Sequence, residues 1–181
     1  MAKRQVFYSF HYQNDSWRVS QVRNIGAIEG NASASSNEWE EVKRKGENSI
    51  QSWIDKNMNY RSCVIVLVGS ETASRKWVNY EIEKAWKDGK GIVAIYIHGL
   101  KNHLGQQCSK GNNPLCNFCI DKTFNYIAKH SNPADNNEIN LSKICKAYDP
   151  PYSTSESVYN YIRNNIEGWI EEAVKIRNTY P

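Results

Sequence analysis

The period of the apolar positions changes along this chain, and each change marks a new element. Gln5 to Phe10 is a compact apolar and aromatic run, too short for a helix and too continuous for a half-exposed strand, which predicts a buried β-strand. Ser62 to Val68 is β-branched and apolar almost throughout and closes on Gly69-Ser70, the pattern of a parallel strand covered on both faces. Gly91 to His98 has the same character. Between these runs the spacing becomes helical. Trp17, Val22 and Ile25 among polar residues predict a first helix over Asn14 to Ile25, entered through Asn14 or Asp15 as cap. Gly26 to Asn37 reads as a loop. Trp39, Val42, Ile50, Trp53, Ile54 and Met58 recur at three- and four-residue steps, so a second helix is expected from Glu38 to Met58, weakened at Gly46. A third runs from Arg75 to about Asp88, with Thr72 and Ser74 as candidate caps and Gly89 and Gly91 as its end. Lys101 to Asn140 is long, polar and irregular, with no element assigned. Leu141 to Tyr148 is read as a last strand before Pro150-Pro151, and Tyr152 to Arg177 as a helix with one apolar stripe from Val158 to Val174.

Strands alternating with helices predict an α/β fold: a three-layer αβα sandwich with a flavodoxin-like parallel sheet and right-handed crossovers. The 181 residues leave room for one domain over 1–181, with a motif-bearing core at 3–100, an irregular insertion at 101–140 and a C-terminal strand and helix at 141–178. Six Trp and eleven Tyr exclude a disordered polar chain. No apolar run approaches the roughly 20 residues needed to span a bilayer. The basic start Met1-Ala2-Lys3-Arg4 is followed by an apolar stretch that ends at Phe10 without a small-residue cleavage site, so a cytoplasmic chain is expected. Five Cys, four of them late in the chain, make a poor disulfide framework and fit reduced thiols. The net charge of +4 comes from scattered residues such as Lys43-Arg44-Lys45, a pattern of solvated helix faces rather than a nucleic-acid groove.

In an open parallel sheet the ligand crevice lies beyond the carboxyl ends of the strands, which singles out Ser9 to Asp15, Gly69 to Lys76 and the segment after His98. The first mixes aromatic faces with hydrogen-bonding groups, as a pocket for a flat heterocycle and its ribose would, although the same aromatics could simply plug the sheet edge. On the third helix Val78, Ile82, Ala85 and Trp86 define the face toward the sheet. Trp77 and Glu81, four apart, stack at the border of that face, so Glu81 is expected to be half sheltered. Glu83 is turned about 200° away and is expected in water. A lone helical glutamate is also the ordinary partner of a surface ion pair, here with Lys84. Cys116 and Cys119 have the spacing of a metal-binding pair but no second matching pair, so no metal is assigned. No Gly-Lys-Ser/Thr phosphate loop and no GxSxG elbow occur, which excludes NTPase and serine-hydrolase chemistry.

Val6-Phe7-Tyr8-Ser9-Phe10-His11-Tyr12, Arg18 and Arg23, Trp77-Val78-Asn79-Tyr80-Glu81-Ile82, and Ser109-Lys110-Gly111-Asn112-Asn113-Pro114 together resemble the TIR-like ThsB subunits of bacterial Thoeris anti-phage systems, over about Lys3 to Pro114. Trp77 and Glu81 have the spacing of the tryptophan and catalytic glutamate of enzymatic TIR domains. Cys116 and Cys119 depart from the apolar or aromatic residues that family members carry after the Asn-Pro. The resemblance implies cleavage of the nicotinamide–ribose bond of NAD, as substrate rather than cofactor, and a cyclic ADP-ribose isomer that activates a separate effector protein. It also implies an enzyme held inactive until infection, through a phage-derived trigger or a homo-oligomeric state. Glu81 is then the catalytic residue. Ser9, Phe10, His11, Tyr12, Trp39, Gly69, Ser70 and Trp77 are expected to hold NAD, with Phe10, Tyr12, Trp39 and Trp77 as stacking surfaces. Two other readings stay open: a TIR-type interaction module without catalysis, and a nucleoside deoxyribosyltransferase-like glycosidase.

Overall fold

A computed structural model of the chain describes residues 4–25, 29–30, 36–124, 127–129 and 137–181, leaving aside the side chains of 29–30 and 36–39. In order, the main elements are β1 (Gln5–Ser9), α1 (Tyr12–Arg23), β2 (Glu29–Gly30), α2 (Ser36–Arg44), α3 (Glu47–Met58), β3 (Cys63–Val68), α4 (Lys76–Lys87), β4 (Gly91–Tyr96), β5 (Phe118–Asp121), β6 (Ile127–Lys129), β7 (Glu138–Asn140), β8 (Ala147–Tyr148) and α5 (Ser155–Asn178). Five strands form one parallel sheet in the order β2-β1-β3-β4-β8, and β6-β5-β7 form a small antiparallel sheet.

The two-residue period of the strands sorts their side chains between two cores. Phe7, Val64, Val66, Val68, Ile92 and Ala94 point to one face, where Ile50, Ile54 and Met58 of α3 and Val78, Ile82, Ala85 and Trp86 of α4 cover them. Val6, Tyr8, Ile65, Leu67, Val93 and Ile95 point to the other, under Val19 and Val22 of α1 and the stripe Val158, Ile162, Ile166 and Ile170 of α5. The expected αβα sandwich is therefore present. Gly91 is required at the start of β4 because a Cβ there would lie 2.8 Å from the Val174 backbone nitrogen, so α5 rests directly on the strand. Among the described residues no helix is long and apolar enough to cross a membrane.

Several elements differ from the expectation. The helix expected over Glu38 to Met58 is two helices, because Gly46 takes φ 95°, a value a continuous right-handed helix cannot contain. The first helix starts at Tyr12 with His11 as its N-cap residue. Neither Asn14 nor Asp15 caps it, since Asp15 turns inward to Arg18 instead. Neither Thr72 nor Ser74 caps α4: its N-cap residue is Arg75, and the Thr72 hydroxyl accepts from the Gly69 N–H at 2.8 Å, tightening the preceding loop. Lys101 to Asn140 contains the small sheet, whose Phe118, Ile120 and Ile127 join the core beneath α4. Of the strand expected over Leu141 to Tyr148, only Ala147–Tyr148 pairs, with β4. Leu141, Ile144 and Cys145 are spaced as one helical turn, and Leu141–Lys143 forms a 3-10 turn capped by the Asn140 side chain.

The long segment after β4 is tied back by one buried guanidinium. Arg18 donates to the Leu100 carbonyl at 2.9 Å, the Gln106 carbonyl at 3.0 Å, the Asn14 carbonyl at 3.2 Å and Asp15 Oδ1 at 3.1 Å. Arg18→Met would leave Asp15, 1% exposed, without its counter-charge. We expect a loss of about 3–5 kcal/mol and a melting temperature lower by roughly 10 °C, read by thermal or urea unfolding. Asp15→Asn in the same chain should recover part of it.

Candidate active site

Strand parity and helix phase bring the key groups together. Ser9, the last residue of β1, shares the face of Phe7 and so points toward α4. Glu81 lies on α4 one step from Ile82, and its position at the upper border of the packed stripe sets it beside the end of β1. The Ser9 hydroxyl donates to Glu81 Oε2. Glu81 is 7% exposed, deeper than the half-sheltered place expected of it. Burial pushes its carboxyl up to about 8, against the opposing pull of the Ser9 hydrogen bond. Lys84 does not relieve it, since that ammonium pairs with Asp88 at 2.9 Å and Asp55 at 3.7 Å. Glu83 turns outward and pairs with Lys87 at 2.5 Å, with its side chain 35% exposed.

Glu81 borders a cavity of about 280 Å³. Phe10, His11, Tyr12 and Gln13 line it from the β1–α1 junction, Lys43 from α2, and Arg75, Lys76, Trp77 and Val78 from the head of α4. Phe10 and Tyr12 lie 6.0 Å apart between ring centroids, and Trp77 meets Tyr80 edge-on at 5.8 Å. The His11 imidazole is held below its usual range by burial and by the Arg75 charge, with Glu71 opposing and Lys43 adding to the effect. Its Nδ1 is buried without a hydrogen-bond partner among the described residues. The loop entering α4 is fixed from behind: Asn117 Nδ2 donates to the Ala73 carbonyl at 2.9 Å and to Asn79 Oδ1 at 3.1 Å, and Asn79 Nδ2 donates to the Ala73 and Arg75 carbonyls.

Of the residues singled out in the sequence, Phe10, His11, Tyr12, Trp77 and Glu81 meet around this cavity, and Ser9 stands behind it as the carboxylate's donor. Trp39 belongs to α2, the helix that supplies Lys43, but its side chain lies outside the described residues. Gly69 and Ser70 are not part of the lining. A Cβ on Gly69 would lie 2.2 Å from Asp15 Oδ2, and one on Gly111 would lie 2.2 Å from the Gly69 carbonyl oxygen, so the gap beyond β1 and β3 is filled by the protein itself. The segment after His98 is also absent from the lining. Its Lys110 instead pairs with Asp149 at 2.8 Å and lies 4.7 Å from the Tyr96 ring centroid.

Gln13, Arg75 and Lys76 fall within the segments Ser9 to Asp15 and Gly69 to Lys76 singled out in the sequence, although none of them is named there as a site residue; Val78 is assigned there to the face toward the sheet, and Lys43 to a solvated helix face. Cys116 is exposed and Cys119 buried, and among the described residues no group of three His, Cys, Asp or Glu side chains is placed to hold a metal ion.

Residues 7–102 match a family model described as Thoeris protein ThsB, TIR-like domain. The chain is also 40% identical over 120 residues to a protein of Bacillus cereus (strain MSX-D12) named "Putative cyclic ADP-D-ribose synthase ThsB1". The aligned stretch is 64% of this chain and 62% of that protein, so this chain spans less than two thirds of its relative's length.

The raised carboxyl has a consequence for stability. Below about pH 4.5 Glu81 is protonated in both folded and unfolded chains, and its burial carries no ionisation cost. As pH rises from about 4.5 to about 8 only the unfolded chain ionises, so the folded state progressively loses stability; above about 8 the loss is complete, on the order of 5 kcal/mol. Glu81→Gln keeps an acceptor for Ser9 and cannot ionise. It should melt roughly 10 °C above the natural protein at pH 8 and together with it near pH 4, in thermal scans at the two pH values.

Proposed function

The chain belongs to the Thoeris ThsB TIR-like family, and on that premise we propose that it breaks the nicotinamide–ribose bond of NAD through Glu81 and forms a cyclic ADP-ribose isomer. The observation that carries this reading is a buried carboxylate at an aromatic-lined cavity, with no second carboxylate among the described lining residues. Ordinary glycosidases need two carboxyl groups, because the leaving oxygen must be protonated. NAD needs one. Its nicotinamide is already cationic, so when the C1′–N1 bond breaks the electron pair neutralises the ring, nicotinamide departs without a proton, and the ribose carbon is left as an oxocarbenium ion. An ionised Glu81 stabilises that charge, an effect commonly worth about 3 kcal/mol or more.

The same side chain serves the second half of the reaction. A nucleophile at the adenosine end of the same molecule attacks C1′, the new bond forms, and the proton the nucleophile loses passes to Glu81, whose basicity of about 8 suits that task. Phe10, Tyr12 and Trp77 supply faces that keep water from C1′ until the ring closes. The relative's name as a cyclic ADP-D-ribose synthase supports the cyclic outcome. In this reading the product diffuses to a separate effector protein in the cytoplasm, and activity is released by infection.

Two measurements test the proposal. Protein from phage-infected cells, incubated with NAD and followed by chromatography, should release nicotinamide and a cyclic product; Glu81→Gln should lower that rate by a factor on the order of 10³. Undiminished release from Glu81→Gln would instead favour a catalyst elsewhere in the chain. Because the ionised form acts, kcat/KM should rise roughly tenfold per pH unit and level off at about pH 8.

A further inference from the structure

The mouth of the cavity is cationic where its floor is acidic. Lys43, Arg75 and Lys76 all line it, and each is balanced by an exposed carboxylate: Lys43 by Glu40 at 3.4 Å, Arg75 by Glu71 at 3.0 Å, and Lys76 by Glu47. Exposed pairs of this kind contribute little and exchange readily for another anion. Arg75 is also the residue from which α4 starts, and its side chain does not cap the first N–H groups of this twelve-residue helix. They place the positive end of the helix dipole on the same wall.

A second observation, independent of the helix, points to a ligand there. His11 is 8% exposed and lines the cavity, yet among the described residues its Nδ1 has no hydrogen-bond partner, and it stands 3.8 Å from Glu71 Oε2. Arg75 Nε is buried and, among the described residues, unbonded too. Buried polar atoms are almost always bonded, so two orphans on one wall leave hydrogen-bonding capacity unused there. The Glu71 carboxylate stands beside both: its Oε2 accepts from Arg75 Nη2 and, at 2.7 Å, from Asn14 Nδ2.

We propose that Arg75, Lys43, His11 and the head of α4 form an anion subsite for the diphosphate of a dinucleotide, and that the Glu71 carboxylate supplies the missing negative charge until the ligand displaces it. The proposal rests on the NAD reading and adds to it an orientation: diphosphate at the cationic mouth, nicotinamide ribose at Glu81. A nucleoside without phosphates would leave these cations unused, which sets this site apart from that of a nucleoside deoxyribosyltransferase.

Calorimetric titration with ADP and with adenosine tests the subsite without any turnover. ADP should bind the natural protein at least about tenfold more tightly than adenosine. Arg75→Gln should weaken ADP about tenfold, and Arg75→Lys should recover part of that loss. Glu71→Gln keeps an acceptor for Asn14 and removes the competing charge, so it should tighten ADP severalfold, an outcome no misfolded variant can imitate. Equal affinity for ADP and adenosine, or weaker ADP binding by Glu71→Gln, overturns the proposal. Nicotinamide release separates the two readings. If ADP ignores both Arg75 and Glu71 while Glu81→Gln stops nicotinamide release, only the subsite fails; if ADP obeys both while the natural protein from infected cells releases no nicotinamide, only the NAD reading fails.

Discussion

A carboxylic acid kept from water, with one serine hydroxyl for company, is the constraint that organises this molecule. Isolating such a group is unfavourable unless it is neutral or given several donors, and among the described residues Glu81 has a single donor in Ser9. The rest of the sandwich holds that arrangement in place. β1 ends at Ser9 on the α4 side, and Val78, Ile82, Ala85 and Trp86 press α4 onto the sheet, which holds the glutamate against the strand end. A flexible surface helix would let the acid escape to water and relax to an ordinary carboxylate. The core next to it works against that.

Charge in the site is separated by depth. The acid lies at the inner end, where desolvation dominates its titration; the bases Lys43, Arg75 and Lys76 lie at the outer end, each within reach of solvent and of an exposed carboxylate. Between them stand aromatic faces and the neutral imidazole of His11. A gradient of this sense suits a long ligand that is anionic at one part and develops positive charge at another.

Much of this arrangement was legible in the residue pattern. Continuous apolar runs at β3 and β4 announced strands buried on both faces, and the four-residue step from Trp77 to Glu81 put ring and acid on one side of α4. The depth of Glu81 was not legible, because it depends on Ser9 closing over it from a strand 72 residues earlier in the chain. Nor was the filling of the gap beyond β1 and β3: Asp15 has the composition of a helix cap, and only Arg18 draws it inward. The small sheet escaped notice because strands of three and four residues are too short to establish a period. Cations at a cavity mouth look, in sequence, like any solvated lysine or arginine.

The hydrogen bonds of Asn117 join two parts of the molecule that share no backbone pairing. Asn117 stands at the threshold of the small antiparallel sheet, and its amide grips both Ala73 and Asn79, the residues that bracket the head of α4. The peripheral sheet is thereby tied to the wall bearing Arg75. Two amide groups thus fasten that outlying ribbon to the cationic rim across a separation of 44 residues in the chain, a shorter route than the loop between them.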